Sequence, residues 1–207
     1  MIDKDRRLEQ LRRQPKVRDR ASFFFYDNTF RNIAVKVAPA EYFVDTEGLV
    51  LTTVLGSCVS VCLIAREGAI CGMNHFMLPA SGPSGNSARY GLFAMELLIN
   101  EMLKAGAPRN GLKAKVYGGG AVISGMKTLQ IGKQNVDFVE SFLKQEGIPV
   151  LARDVLDIYP RKITMVGGSG KVIVQKLAKD TSGALAAEAS YAKRTIERPR
   201  AGEVTLF

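Results

Sequence analysis

Short runs rich in β-branched and apolar residues, each bounded by turn formers, dominate the first patterned part of the chain, at residues 32–37, 48–54, 58–65 and 69–76. Runs of this length and make-up predict β-strands. Pro79-Ala80-Ser81-Gly82-Pro83-Ser84-Gly85-Asn86 is a loop by composition, and beyond it Leu92, Met95, Ile99 and Met102 recur at helical spacing up to Gly106. Another strand is predicted at 113–117, ending in Gly118-Gly119-Gly120. Val136, Val139, Phe142 and Leu143 then mark a second amphipathic helix, closed by Gly147. Residues 148–151 read as a strand, and 162–166 and 171–177 flank Gly167-Gly168-Ser169-Gly170 as the arms of a hairpin. Strands mixed with helices, without an internal repeat, put the chain in the mixed α/β class, of α+β type.

The two ends lack this patterning. Residues 1–20 are polar and charged, and Phe23-Phe24-Phe25-Tyr26 is the first segment with enough apolar surface to dock on a core. The expected organisation is a flexible basic arm over 1–27, a domain over 28–177 and an extension over 178–207. The composition suits one globular domain with a core of its own: 207 residues, 46% hydrophobic and 24% charged. No apolar run approaches the roughly 20 residues that span a bilayer. The N-terminus is charged where a secretory signal is apolar, so a cytoplasmic location is expected. Of the formal charge of +9, the first twenty residues carry +4, with eight Lys/Arg against four Asp/Glu. Such an excess favours acidic partners. No helix-turn-helix, zinc-finger or aromatic RNA-binding motif accompanies it, which argues against nucleic acid.

Three cysteines, Cys58, Cys62 and Cys71, are an odd number in a chain large enough to fold without staples, so free thiols are expected. A nucleophilic cysteine needs a base, oxyanion donors and access to solvent. Leu55-Gly56-Ser57-Cys58-Val59 places Cys58 where a glycine-containing turn enters an apolar strand, a setting Cys62 and Cys71 lack. His75 is the sole histidine and so the one side chain that ordinarily titrates near neutrality. It lies 17 residues from Cys58, and the two can meet across a sheet edge if their strands are neighbours. The same residues also offer zinc-ligand types, but four residues along a strand span roughly 13 Å, too far for Cys58 and Cys62 to share an ion. The stretch from Gly120 to Thr128 is a near miss to a phosphate-binding loop, with Met126 between the second glycine and Lys127 and no clear helix start. No metal or cofactor is expected.

Four blocks extend this reading: Leu55-Gly56-Ser57-Cys58-Val59, Gly72-Met73-Asn74-His75-Phe76-Met77-Leu78-Pro79, Gly119-Gly120-Ala121 and Ile131-Gly132-Lys133-Gln134-Asn135. In order and spacing they resemble the CheD-type chemoreceptor glutamine deamidases, over residues 32–177. The resemblance implies a layered sandwich of mixed β-sheets with helices packed outside. It implies a catalytic Cys, His and Thr at Cys58, His75 and Thr52. Thr53 is chemically equivalent and would face the other side of the strand, and the six-residue offset from Cys58 favours Thr52. The implied substrate is a glutamine on the helical cytoplasmic region of a chemoreceptor, and a CheC-type chemotaxis phosphatase is an implied partner. Two other readings use the same residues: a non-catalytic module regulating that phosphatase, and a thiol protease or transferase. The chain departs from the family pattern at Leu156 and Asp157, where a Gly-Gly pair is usual, so a loop of different shape is expected there.

Overall fold

The computed structural model describes residues 2–78, 84–122 and 126–178. In chain order these form α1 (Ile2–Arg12), β1 (Phe23–Asp27), β2 (Asn32–Lys36), β3 (Tyr42–Asp45), β4 (Val50–Leu55), β5 (Val59–Ala65) and β6 (Ile70–Asn74). Then follow α2 (Ser84–Lys104), β7 (Lys113–Gly118), α3 (Met126–Gln145), β8 (Val150–Val155), β9 (Arg161–Val166) and β10 (Lys171–Lys176). One sheet has the order β1-β2-β4-β9-β10 and the other β3-β6-β5-β7-β8. Each is antiparallel except for one parallel pair, β2 with β4 in the first and β7 with β8 in the second.

Side-chain alternation along β5 shows how the layers stack. All seven of its residues are buried. Val59, Val61, Leu63 and Ala65 join a core with Met95, Leu98 and Met102 of α2 and Val139 and Leu143 of α3. Cys62 and Ile64 point the other way, into a second core with Leu51 and Leu55 of β4 and Ile163 and Met165 of β9. Because successive strand residues face opposite sides, one strand serves two cores. The result is three layers: the first sheet, the second sheet, and α2 with α3 outside it. This is the mixed α/β sandwich with external helices that the chain was expected to adopt.

Several boundaries differ from the sequence expectation. The segment expected to be a flexible arm is structured: Leu8 and Leu11 of α1 are buried in the inter-sheet core, Arg12 Nε donates to the Phe24 carbonyl at 3.0 Å, and Phe23–Asp27 is an edge strand rather than part of an arm. Two leucines three apart give a helix a narrow docking stripe that its overall polarity conceals. The short β3 had no expected counterpart. Helix α2 begins at Ser84, within the stretch read as loop, and α3 begins at Met126, where no helix start was expected. The strand read at 148–151 is displaced to β8, and the hairpin of β9 and β10 is present. The proposed extension from 179 onward lies outside the described residues.

The docking of α1 gives a direct test. Leu11→Ala is expected to lower the unfolding free energy in urea by about 2 kcal/mol, near the low end for a buried leucine because the site lies at the periphery. The exposed Arg13→Ala should change it by less than about 0.5 kcal/mol. Equal effects of the two substitutions would mean that the helix does not dock in solution.

Candidate active site

Cys58 closes the turn before β5, and His75 directly follows β6. Val59 and Phe76 form an isolated antiparallel bridge, exchanging N–H···O bonds of 3.0 Å in both directions. With that register, Cys58 stands opposite Met77 and Ser60 opposite His75. Cys58 and His75 are therefore diagonal neighbours on one face, the spacing at which cross-strand side chains interact. The His75 backbone is held on its other side: its N–H donates to the Glu41 carbonyl at 2.9 Å, and its carbonyl accepts from Ala40 N at 2.8 Å. The expected solvent exposure of Cys58 is not met. Cys58 is fully buried and His75 nearly so, at 0% and 2% exposure, because the face they share is the inter-sheet face.

The hydroxyl on the His75 ring belongs to Thr53, not Thr52. Thr53 Oγ1 lies 2.8 Å from His75 Nδ1 and 2.7 Å from the Val37 carbonyl. Thr53 shares the inter-sheet face of β4 with Leu51 and Leu55, while Thr52 faces outward and donates to the Ile163 carbonyl at 3.0 Å. The proton inventory then assigns the tautomer. A carbonyl can only accept, and a hydroxyl has one proton, so Thr53 donates to Val37 and must accept from Nδ1–H. The neutral ring consequently carries its lone pair on Nε2, the nitrogen free of the Thr53 bond. That is the form a general base requires.

Three further side-chain and backbone ties fix the turn that carries Cys58. Gly119 N donates to the Cys58 carbonyl and Gly120 N to the Gly56 carbonyl, both at 2.7 Å. Gly118, at φ 109°, passes so close that a Cβ there would lie 2.2 Å from the Cys58 carbonyl oxygen. Asn135, fully buried on α3, donates from Nδ2 to the Ser57 carbonyl and accepts the Leu78 N–H at Oδ1, each at 2.8 Å. It thus joins the residue before the cysteine to the segment after the histidine. Arg161, whose side chain is fully buried, pairs with Asp154 at 2.6 Å and donates to the Leu156 and Tyr159 carbonyls. These bonds brace the 156–160 loop, which in turn binds Gly118 and Ala121 through Leu156 N and the Asp157 carbonyl, at 2.8 and 2.7 Å.

The same bonds bear on other chemistries. The N–H groups of Gly119, Gly120 and Ala121 all donate within the protein; residues 123–125 of the near-miss phosphate loop lie outside the described residues. Among the described residues no group of three His, Cys, Asp or Glu is placed to hold a metal ion. Burial pushes the Cys62 thiol up to about 12, with the Ser60 hydroxyl opposing the shift only in part. It likewise pushes Cys71 up to about 11. Both lie inside paired strands and remain thiols at neutral pH.

Sequence reasoning named Cys58 and His75 but overlooked the parts that hold them. Asn135 carried a signal, since it falls at helical spacing between Ile131 and Val139 on a stripe that is otherwise apolar. A polar residue on such a stripe has to find buried partners. Arg161 gave no comparable signal, and the choice between Thr52 and Thr53 depends on which face of β4 meets the second sheet, a tertiary fact.

Comparison with known proteins adds an independent line. The family model described as CheD chemotactic sensory transduction matches residues 77–176. A Herminiimonas arsenicoxydans protein named probable chemoreceptor glutamine deamidase CheD is 47% identical over 193 residues, covering 90% of this chain and 95% of that one. An Albidiferax ferrireducens protein named probable chemoreceptor glutamine deamidase CheD 1 is 47% identical over 207 residues, covering 97% and 87%. Among solved structures, a Neisseria meningitidis protein aligns with a TM-score of 0.40 at 11% identity, over 61% of this chain and 64% of that one.

Iodoacetamide labelling followed by peptide mapping tests the local arrangement. Cys58 is expected to label first near pH 7, because a thiol at about 11 holds only about one thiolate in 10⁴ there and Cys71 and Cys62 are at or above that value. Thr53→Ala should slow Cys58 labelling on the order of tenfold and Thr53→Ser should restore it, whereas Thr52→Ala leaves it unchanged. Faster labelling of Cys62 or Cys71, or a larger effect at Thr52, would contradict this placement.

Proposed function

Since this chain belongs to the CheD family, we propose that it hydrolyses glutamine side-chain amides of chemoreceptors to glutamate, with Cys58 as nucleophile, His75 as general base and acid, and Thr53 orienting the ring. The observation that carries this reading is the one-way hydrogen-bond chain from His75 Nδ1 through Thr53 Oγ1 to the Val37 carbonyl, which leaves Nε2 as the basic nitrogen on the face it shares with Cys58.

Each step balances with these groups. Nε2 takes the Cys58 proton, and the sulfur forms a bond to the amide carbon, giving a tetrahedral oxyanion that backbone N–H groups of the turn leading into Cys58 stabilise. The C–N bond breaks as Nε2–H protonates the departing nitrogen, releasing ammonia and leaving a thioester. Water, deprotonated by the same nitrogen, attacks the thioester carbon; the C–S bond breaks, and the thiol is regenerated beside a new glutamate. Throughout, Nδ1–H stays on Thr53, a neutral partner that fixes orientation without adding charge.

No helix among the described residues is long and apolar enough to cross a membrane. The substrate region is the helical cytoplasmic part of the receptor, and the enzyme works in the cytoplasm. The chain's net positive charge of +9 suits an acidic target. Association with a CheC-type phosphatase is part of the proposal as a regulatory contact separate from turnover.

Incubation with a chemoreceptor cytoplasmic fragment should raise the mass of individual glutamine peptides by about 1 Da with release of ammonia and no chain cleavage, the difference between an amide and an acid. Cys58→Ser and His75→Ala should each remove nearly all turnover, and the double variant should be no worse than either, because the two act as a unit. Thr53→Ala should lower kcat on the order of ten- to a hundredfold. Full activity in Cys58→Ala would favour a binding module, and backbone cleavage would favour a protease.

A further inference from the structure

Leu156 and Asp157 both sit in the left-handed region, at φ 63° and 72°. There a Cβ crowds its own carbonyl, and glycine is the residue that adopts the conformation freely. The backbone path of this loop therefore needs no side chain at 156. Leu156 is 37% exposed, and its neighbours Ile158 and Tyr159 are 44% and 38% exposed. Three large apolar side chains are thus partly exposed within four residues, one of them at a strained position. A strained position that carries a partly exposed apolar side chain points to an external use.

The loop is rigidly joined to the site. Arg161 bonds its carbonyls from inside, Leu156 N and the Asp157 carbonyl tie it to Gly118 and Ala121, and Gly119 in turn holds the Cys58 carbonyl. Lys176 lies 5.6 Å from the centre of the Tyr159 ring and pairs with Asp157 at 2.9 Å, so the outer side of the loop is fixed as well. A glutamine side chain is short, and Cys58 is buried. For the amide to reach the sulfur, the polypeptide on either side of the glutamine has to press against whatever rims the Cys58 turn.

We propose that Leu156, Ile158 and Tyr159 form a preorganised apolar rim that grips apolar side chains flanking the target glutamine of the substrate protein, and so select which glutamines are deamidated. This rests on the deamidase reading above. A rigid loop loses little entropy on binding, which makes exposed apolar groups effective there.

The test exploits the backbone. Leu156→Gly removes the side chain while relieving its φ, so the fold is not put at risk, and Leu156→Gly/Ile158→Ser removes more of the rim. With the full chain and a chemoreceptor cytoplasmic fragment, Leu156→Gly should raise KM about three- to tenfold and the double variant further, with kcat retained. Tm should hold or rise, and the rate of Cys58 labelling by iodoacetamide should stay as in the parent. Changing the apolar residues beside one reactive glutamine to serine should weaken the parent enzyme to the same degree and leave the double variant unaffected. Unchanged KM in the double variant at equal Tm, or labelling that falls together with turnover, would overturn the proposal. Binding of the fragment to Cys58→Ala chains with and without the rim, read by calorimetry, decides the matter even without turnover. Absence of turnover in the parent would count against the deamidase reading, not the rim.

Discussion

The burial of β5 on both faces is the constraint from which the rest of the molecule follows. A strand with one face in water needs one partner layer; this one needs two, and the period-2 alternation of its side chains assigns every residue to one or the other. Val59, Val61 and Leu63 call for the helices, and Cys62 and Ile64 for the opposing sheet. Cys58 falls on the second side by that parity alone. His75 joins it through the Val59–Phe76 bridge, and Thr53 approaches from the facing sheet through the matching parity of β4. A shift of one residue in either register would turn Cys58 or Thr53 away from the ring.

Much of this was legible in the chain. The strands around Cys58 and His75, both large helices and the terminal hairpin follow from hydrophobic spacing, since buried elements leave a periodic trace. Cys58 and His75 could be singled out as candidates because one histidine leaves no rival and one cysteine enters its strand from a glycine turn. What could not be read depends on partners distant in sequence. Thr52 and Thr53 are chemically alike and adjacent, and only the packing of β4 against the second sheet tells them apart. The α1 helix was hidden because two leucines among many charges make a weak periodic signal. The exposure expected for Cys58 failed for a similar reason: a turn reads as surface, but this turn lies beneath loops that converge from three places in the chain.

Those loops explain where the buried polar groups go. Asn135 and Arg161 would each be costly in an apolar interior if left alone. Both instead satisfy carbonyls that irregular backbone leaves without a ladder partner: Ser57 for the one, Leu156 and Tyr159 for the other. Irregular backbone is what lets Cys58 leave the regular hydrogen-bond pattern, so these side chains make the turn possible instead of merely decorating it. Gly118 and Gly119 complete the arrangement, the first by letting the β7 end approach the Cys58 carbonyl and the second by letting it approach Gly132 and Val136 of α3 more closely than a side chain would allow.

The bond between Thr53 and His75 joins two sheets that meet mainly through apolar side chains, with the Arg161–Asp154 pair and the Lys115–Gly170 bond as further polar ties between them. Apolar packing tolerates small sliding, whereas a hydrogen bond of 2.8 Å weakens steeply with a few tenths of an ångström of displacement. In the proposed mechanism the His75 ring is therefore a vernier on the interface between the layers. Its alignment measures how Leu51, Ile163 and Met165 seat against Cys62 and Met73, all fully buried. Volume changes deep in that interface should be felt as misalignment long before they are felt as unfolding, so that in this protein the tolerance of the core is set by chemistry more tightly than by stability.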